Sequence, residues 1–282
     1  MPSLPKCITL RLSSVYGDFV KDVNLEVSRG EFVLVVGEWT RGLEELSKML
    51  TGELKPRKGK IYRNFDKREI RLITREIITS ELRIKDILRL YEKKFGKSEG
   101  IWVKLLLGTK ISEDLKISEL DEINRFKLEL LTIFYGNVKL VVAEDFLGTI
   151  DTQFREYALK LLLKTIKIKS ASLILFNSSI IHEHIFNKIV VFFGNEIVEE
   201  TSEGEFYHPY SLLLQNAKLT IGKFREKVNF SEIGDPSPHG CPYHPYCNFI
   251  KKEIKKMCYT VNPNLFNVKG NKVRCWIYEN FK

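Results

Sequence analysis

The sequence predicts an α/β domain with a largely parallel central sheet. Short apolar runs at 31–36, 70–73, 139–143, 172–176 and 188–193 alternate with helix-like segments, which is the pattern of strands joined by crossover helices. The chain has 282 residues, of which 44% are hydrophobic and 29% charged, so it can bury a full core. No internal repeat is present in the sequence.

Composition also bounds the class of protein. No run approaches the roughly 18 apolar residues of a membrane span, and the first residues lack the apolar core of a signal peptide. We therefore expect a cytoplasmic protein, whose five cysteines are free thiols or metal ligands rather than disulfides. Cys7 stands apart from the other four and is predicted to be a buried strand residue.

The chain divides into a body and a tail. A helical stretch over about 82–135 interrupts the strand pattern, and 218–238 has the character of a connector. We predict a first domain over 1–217 that contains this helical subdomain, and a small cysteine-rich C-terminal module over 218–282. The module carries most of the net charge of +9, with 12 Lys and Arg against 5 Asp and Glu.

Four cysteines of the tail form a candidate metal site. Cys241, Cys247, Cys258 and Cys275 are separated by 5, 10 and 16 residues. Four thiolates in one small module suit zinc or an iron-sulfur cluster, and their spacing does not decide between the two. Unligated core thiols are the third alternative. His244 lies between two of the cysteines, and we interpret it as part of the turn, because four cysteines complete a ligand set.

The tail sequence resembles that of a known family. GCPYHPYC, two further cysteines and an ending of Gly270, Val273 and Cys275 match the C-terminal extension of the ATP-binding subunits of oligopeptide and dipeptide ABC importers. In that family a G-C-x-x-H-P-x-C block precedes a G-x-x-V-x-C ending. HPYSLLLQNA, at 208–217, is similar to the HPYT segment of the same branch. The resemblance implies a [4Fe-4S] cluster held by the four tail cysteines.

The body resembles an ABC nucleotide-binding domain, which is a P-loop NTPase-like fold, and the likeness covers nearly the whole chain. VSRGE, VVGE and LTGELKPRKGKIY match the frame around the phosphate loop, and KLVVAEDFLGTID holds the place of the second nucleotide motif. Tyr16 stands where the family stacks an aromatic ring on adenine. Asp151 fits the D-loop, which contacts the neighbouring subunit.

The phosphate loop itself departs from the motif G-x-x-x-x-G-K-[ST], because residues 37–44 read GEWTRGLE. Gly37 and Gly42 remain, but Leu43 replaces the lysine that reaches the phosphates and Glu44 replaces the hydroxyl that holds Mg²⁺. A unit charge at 4 Å is worth about 4 kcal/mol at an effective dielectric near 20, so both changes oppose nucleotide binding. The sequence predicts a strand-turn-helix that is kept for folding and does not bind Mg-ATP.

Other nucleotide-binding motifs also lack the residues that the family has at these positions. The LSGGQ signature falls on LDEIN, which begins at Leu120, and Asp121 is predicted to cap the following helix. The glutamine that links nucleotide to the membrane subunits falls on Arg75. The switch histidine falls on Asn177 or Ser178, depending on one residue of register.

Two adjacent carboxylates remain at the end of the strand 139–143. Glu144 and Asp145 take the places of the Mg²⁺-linked aspartate and the general-base glutamate, with their lengths interchanged. Asp145 is therefore one methylene short of the reach that general-base catalysis requires. The alternative is that both are acidic residues at a strand end that face solvent.

These features predict a catalytically degenerate ATP-binding-type subunit of an ABC importer for peptides or related solutes. The resemblance implies an active ATPase subunit as its heterodimer partner, two permease subunits, and indirectly a substrate-binding protein, at the inner face of the cell membrane. Peptides, nickel complexes and oligosaccharides stay open as solutes, and no nucleic acid is expected. The alternatives are a slow ATPase using Glu144 and Asp145, or an iron-sulfur sensor on an ABC scaffold.

Overall fold

The structure is a computed structural model that describes residues 8–76, 78–98, 101–108, 111–217 and 234–279. Cys7 and most of the 218–238 connector lie outside these residues, so the predictions made for them stay predictions. Among the described residues, no helix has the length and apolar character needed to cross a membrane.

Strands and helices follow one another along the chain in an alternating order. The strands are β1 Ile8–Tyr16, β2 Val23–Ser28, β3 Phe32–Val36, β4 Lys58–Arg63, β5 Ile70–Ile73, β6 Leu140–Ala143, β7 Ser172–Asn177, β8 Lys188–Phe193, β9 Glu196–Thr201, β10 Phe266–Val268 and β11 Asn271–Val273. The helices are α1 Arg41–Thr51, α2 Ile84–Phe95, α3 Ile101–Leu107, α4 Glu122–Leu131, α5 Thr152–Lys169, α6 Pro209–Asn216 and α7 Lys255–Thr260.

The strands form two sheets. An eight-stranded sheet has the order β10-β11-β9-β8-β3-β7-β6-β5, and a three-stranded antiparallel sheet has the order β2-β1-β4. Within the larger sheet β3, β5, β6, β7 and β8 are parallel, and β9, β10 and β11 are antiparallel. All five apolar runs are strands of this sheet, so the predicted α/β class is confirmed.

The parallel strands are buried on both faces, which explains their continuous apolar sequences. In β3, Val33 and Val35 point to the side of α1 and the smaller sheet, whereas Leu34 and Val36 point to the side of α5. Gly52 ends α1 with φ 78°, the left-handed conformation that glycine adopts without strain. This packing fixes where the loop between β3 and α1 lies.

The helical subdomain occupies the predicted interval and contains α2, α3 and α4 around their own apolar cluster. A buried guanidinium joins it to the central sheet. Arg71 on β5 donates hydrogen bonds to the carbonyl oxygens of Thr132 at 2.8 Å, Arg68 at 2.6 Å and Tyr135, and its guanidinium carbon lies 3.9 Å from the ring centre of Phe95. Burial lowers the pKa of Arg71 to about 10, and the carbonyl dipoles offset part of that cost.

The described part of the cysteine tail is integrated into the body. Strand β11 pairs with β9 and thereby extends the central sheet. Cys241 and Tyr243 belong to the main apolar core, and the Tyr243 ring lies 5.3 Å from Phe193 and 5.4 Å from Tyr210. The physical reason is that β9 would otherwise present an unpaired edge.

We predict that Arg71→Lys lowers the free energy of unfolding by about 3 kcal/mol, because lysine cannot reach several carbonyls at once and leaves buried acceptors unpaired. Urea unfolding followed by circular dichroism measures this change. The matched control is Arg68→Lys, since the side chain of Arg68 is exposed. An equal loss of stability from both substitutions would contradict the anchoring role of the Arg71 guanidinium.

Candidate functional site

The loop between β3 and α1 keeps its glycines for reasons of packing. A Cβ on Gly37 would lie 2.6 Å from the carbonyl oxygen of Phe192, and one on Gly42 would lie 2.8 Å from that of Phe19. The amide of Gly37 also donates to the carbonyl of Asn177 at 3.1 Å. Close backbone approach therefore requires both glycines whether or not a phosphate binds.

The residue at the lysine position points into the core. Leu43 is fully buried and packs with Val33, Val35 and Phe176 under α1. Its Cδ1 lies 3.5 Å from the place of a Gly37 Cβ, so it fills the space directly below the loop. Leu43 is therefore a core residue of the domain and does not reach into the space above the loop.

The residue at the hydroxyl position points the other way, into a cleft that we call the central cleft. This cleft of about 810 Å³ lies between α1 and the ends of β5 and β6. Glu44 forms an ion pair there with Lys48, one helical turn later. The cleft is lined by Trp39, Glu44, Ser47, Lys48, Thr51, Glu53, Leu72, Thr74, Arg75, Glu76, Glu144 and Thr149.

The charges of the central cleft oppose a polyphosphate. Four carboxylates, on Glu44, Glu53, Glu76 and Glu144, face two cations, on Lys48 and Arg75, so the lining carries a formal charge of 2 − 4 = −2. One of the two cations is already neutralised by its ion pair with Glu44. The cleft is therefore electrostatically unfavourable for an anion.

Glu144 connects three motif positions in this cleft. Its Oε1 accepts a hydrogen bond from the hydroxyl of Ser47 at 2.8 Å, and its Oε2 accepts one from the amide of Arg75 at 3.2 Å. The hydroxyl of Thr149 donates to the carbonyl of Arg75 at 2.9 Å. The structure thus brings the loop helix, Arg75 and Glu144 together, and protein donors hold the carboxylate of Glu144.

Asp145 does not face solvent, which corrects one of the two interpretations of this carboxylate pair. It is 6% exposed, does not line the central cleft, and its Oδ1 has no hydrogen-bond partner within the described part of the chain. Burial raises the pKa of Asp145, and the positive charge of Arg75 opposes that shift. The reason is that the chain turns directly after β6, so adjacent side chains point to opposite sides.

The signature and D-loop positions are hydrogen-bonded to each other through one carboxylate. Asp121 caps α4 by accepting the amide of Asn124 at 2.8 Å, as predicted. Leu120 is buried just before it. The amide of Asp151, which caps α5, donates to the Oε2 of Glu122 at 3.3 Å. Asp121 and Asp151 therefore both act as helix N-caps.

Two other expected residues have different surroundings from those predicted. Tyr16 ends β1 and lines neither the central cleft nor a second cavity of about 480 Å³ at the start of α1. The aromatic ring at that second cavity is Phe19, 43% exposed, with the guanidinium of Arg41 5.5 Å from its centre. Asn177 is buried at the end of β7, where its amide donates to Ser179.

The four tail cysteines line one small, mostly apolar cavity. All four are free thiols, and burial raises the pKa of Cys241 and of Cys275 to about 12. In the part of the chain that the structure describes, no three His, Cys, Asp or Glu side chains lie close enough to hold a single metal ion. His244 belongs to the turn, as predicted, since its Nδ1 lies 2.9 Å from the carbonyl oxygen of Cys241.

Sequence reasoning missed two buried polar residues beside this cavity. Glu199 is fully buried and accepts hydrogen bonds from the amides of Tyr207 at 2.7 Å and His208 at 3.0 Å. His208 caps α6 and also lines the cysteine cavity, and burial lowers its pKa to about 3, so its imidazole is neutral. β9 reads EIVEET, so three glutamates share the strand and no signal in the sequence singles out Glu199.

A further buried carboxylate holds the segment after Arg75. Glu129 on α4 is 7% exposed and accepts the amide of Ile78 at 2.7 Å, whereas its Oε2 has no partner among the described residues. Burial raises the pKa of Glu129 to about 7. The backbone at Ile78 is therefore held by the carboxyl group of Glu129, which is costly to ionise because it is buried.

The chain is similar to known ATP-binding proteins of transporters. It is 23% identical over 266 residues to the dipeptide transport ATP-binding protein DppF of Haemophilus influenzae, a match that covers 80% of this chain and 79% of that protein. No protein-family model matches the chain.

Solved structures give the fold. The cbiO1 protein from Clostridium perfringens, part of the ABC transporter complex cbiONQ, matches 70% of this chain and 89% of its own, with a TM-score of 0.56 at 15% identity. An ATP-binding subunit of an ABC transporter matches 69% and 90%, with a TM-score of 0.57 at 17% identity. An ADP-bound ATP-binding cassette matches 69% and 91%, with a TM-score of 0.54 at 18% identity. The chain has the fold of ABC transporter ATP-binding domains.

We predict that Glu129→Gln stabilises the protein at pH 8 by up to about 3 kcal/mol and changes it little at pH 5. A raised carboxyl pKa means that the folded state holds a proton that the unfolded state has released, so stability falls as pH rises from about 4.5 to about 7. Glutamine keeps the acceptor for Ile78 and removes the charge. The melting temperatures of the natural chain and of Glu129→Gln at both pH values measure this difference. Equal shifts of the melting temperature at pH 5 and pH 8 would contradict the prediction. Glu199 also has a raised pKa, but it is present in both proteins, so its pH dependence cancels when they are compared.

Proposed function

We propose that this chain is a catalytically degenerate ATP-binding-type subunit of an ABC importer, which pairs with an active ATPase subunit and couples it to two membrane permeases. The fold and the relative among transport ATP-binding proteins support the class. One observation carries the degenerate part: the phosphate-loop position combines a core leucine, Leu43, with a cleft of net negative charge.

Three features of the loop region support the proposed loss of nucleotide binding. The Leu43 side chain is committed to packing under α1, and Arg41 lies over the Phe19 ring at the second cavity rather than in the central cleft. Lys48 is paired with Glu44. Among the described residues lining the central cleft, Arg75 is then the cation without an ion pair to a carboxylate. A triphosphate would meet more repulsion than attraction there.

The proposed pairing follows from the eroded signature. In an ABC pair, each composite site joins the phosphate loop of one subunit to the signature of the other. LDEIN offers the carboxylates of Asp121 and Glu122, which are used as a cap and as an acceptor for Asp151. ATP hydrolysis then depends on the phosphate loop of the partner subunit. This chain acts as the structural subunit of the pair and moves together with the partner.

Peptides or related small solutes are the proposed cargo. The relative's name specifies dipeptide transport, and the tail carries the sequence pattern of the peptide-importer branch. Specificity would reside in the permeases and in an external binding protein, as the resemblance to the importer family implies.

The alternative of a slow ATPase using Glu144 and Asp145 is less well supported. A general base must reach the attacking water. Asp145 is buried outside the central cleft, and Glu144 is already held by Ser47 and the amide of Arg75. Neither carboxylate is placed as a free base.

We also propose that Cys241, Cys247, Cys258 and Cys275 hold a [4Fe-4S] cluster. The donor set fits, since all four free thiols line one cavity. The preference for a cluster over zinc rests on the resemblance of the tail to the peptide-importer extension, because four thiolates suit either group. When bound, such a cluster cross-links the tail and can accept one electron, which is the feature that favours a sensor as the second candidate function.

We predict that the isolated chain shows no saturable binding of Mg-ATP at millimolar concentration, because the phosphate lysine is absent and carboxylates line the cleft. Isothermal titration calorimetry measures this. Glu44→Ser serves as the matched variant, since it removes one carboxylate and restores a hydroxyl, and it should bind more tightly than the natural chain. Micromolar affinity of the natural chain would overturn the proposal.

We predict that protein purified without oxygen is brown and contains about four irons per chain. Cys247→Ser should lose the iron and lower the melting temperature of the whole chain, because the tail is part of the central sheet. Iron analysis and visible absorption measure this. Stoichiometric zinc without iron would refute the cluster.

A further inference from the structure

The second cavity, at the start of α1, is lined by three charged side chains of both signs. Glu38 precedes α1, Arg41 begins it, and Asp235 belongs to the tail. None of these three side chains forms an ion pair or a hydrogen bond with another residue in the described part of the chain. In the central cleft, by contrast, Lys48 is paired with Glu44. The charges of the second cavity are therefore available to a ligand.

Aromatic rings supply the apolar part of the lining. Phe192 and Phe193 come from the end of β8, and both are buried. Phe19 comes from the β1–β2 loop, residues 17–22, and its ring is partly open to solvent. Small-molecule sites commonly combine such apolar walls with a few polar groups that fix the orientation of the ligand.

A tyrosine hydroxyl adds a further polar group. Tyr210 on α6 is 3% exposed and lines the cavity, and its ring lies 4.6 Å from that of Phe193. Its hydroxyl has no hydrogen-bond partner among the residues that the structure describes. Burial raises the pKa of Tyr210, and the negative charge of Glu38 adds to this shift, so the hydroxyl keeps its proton and can donate.

The wall formed by the β1–β2 loop is fixed by backbone hydrogen bonds. The amides of Asp18 and Phe19 both donate to the carboxylate of Glu45 on α1 at 2.7 Å. The amide of Lys21 donates to the carbonyl of Asn195, in the turn after β8, at 2.7 Å. A cavity whose walls are already ordered binds a ligand without the cost of ordering them.

The tail forms the opposite part of the lining and is fixed as well. A Cβ on Gly194 would lie 2.8 Å from the Cβ of Pro236, so the tail packs closely on the turn after β8. The hydroxyl of Tyr246 donates to the carbonyl of Asp235 at 3.0 Å. The backbone that carries the Asp235 carboxylate therefore has a defined place beside the cavity.

This lining favours a ligand that carries charges of both signs. The three charged side chains give the cavity a formal charge of 1 − 2 = −1, so a simple anion is disfavoured. Arg41 can pair with a carboxylate of the ligand, and Glu38 or Asp235 can pair with an ammonium group. The volume of about 480 Å³ lies within the range of small-molecule sites.

We propose that the second cavity binds a zwitterion with an apolar side chain, which is either a free amino acid or a short peptide. Arg41 holds the carboxylate, Glu38 and Asp235 hold the ammonium group, and the rings of Phe19 and Phe193 contact the side chain. The bound molecule joins the tail to the start of α1. The site stands on its lining residues alone, and only the choice of a peptide as the natural ligand rests on the proposed importer function.

The experiment is isothermal titration calorimetry of the full chain with the dipeptide Ala-Phe and, separately, with phenylalanine and with adenosine. We expect saturable binding of Ala-Phe. Acetylation of its amino terminus or amidation of its carboxyl terminus should each weaken binding about tenfold or more, because a charged group of the site then loses its partner.

The possible outcomes separate the site from the importer role. Binding of phenylalanine but not of Ala-Phe would support the site and contradict only its link to imported peptides. Equal binding of the free and the amidated dipeptide would overturn the assignment of a zwitterion. Binding of adenosine in place of both would also overturn it, as would no saturable binding of any of the three at millimolar concentration.

Substitutions test the assigned roles. Arg41→Gln and Glu38→Gln should each weaken binding of Ala-Phe about tenfold or more and leave the melting temperature of the free chain unchanged, because both side chains are exposed. In Arg41→Gln, amidation of the dipeptide should have no further effect. Arg89→Gln is the matched control, since this exposed arginine pairs with Asp86 on α2, and it should bind as the natural chain does. Unchanged affinity in both Arg41→Gln and Glu38→Gln would overturn the proposal.

Discussion

The packing of α1 against the parallel sheet is the constraint on which the rest of the structure depends. Leu43 and Leu46 of α1 are buried against β3 and β7, and this contact holds the loop before α1 between two strand ends. Fully burying a leucine is worth about 1.5–3 kcal/mol. The burial of Leu43 therefore stabilises the fold. An uncharged side chain at this position cannot contact phosphates as a lysine would, so the same residue favours stability and disfavours nucleotide binding.

The same packing explains which residues of the loop the fold requires independently of nucleotide chemistry. Gly37 and Gly42 are required because neighbouring carbonyls leave no room for a Cβ. Asp121 is required as a helix cap. The positions whose only role would be to contact phosphate or Mg²⁺ have no such packing requirement, and Glu44 stands at one of them, paired with Lys48 on the surface of the cleft.

The sequence predicted the strands of the central sheet, because the alternation of apolar runs and helix-like segments reports local and topological features. It could not predict which way adjacent carboxylates point, so the burial of Asp145 was missed. The anchoring role of Arg71 was also missed, since its partners are backbone carbonyls that no spacing rule identifies. The pairing of β11 with β9 was not predicted for the same reason.

The central claim is that this chain contributes structure rather than nucleotide chemistry to a larger assembly. The most direct measurement is photo-crosslinking with an azido analogue of ATP, applied to the membrane complex that co-purifies with this chain. The account predicts label on a second ATP-binding chain and none on this one, with two membrane-spanning chains present. Label on residues 37–48 of this chain, competed by ATP, would contradict the account.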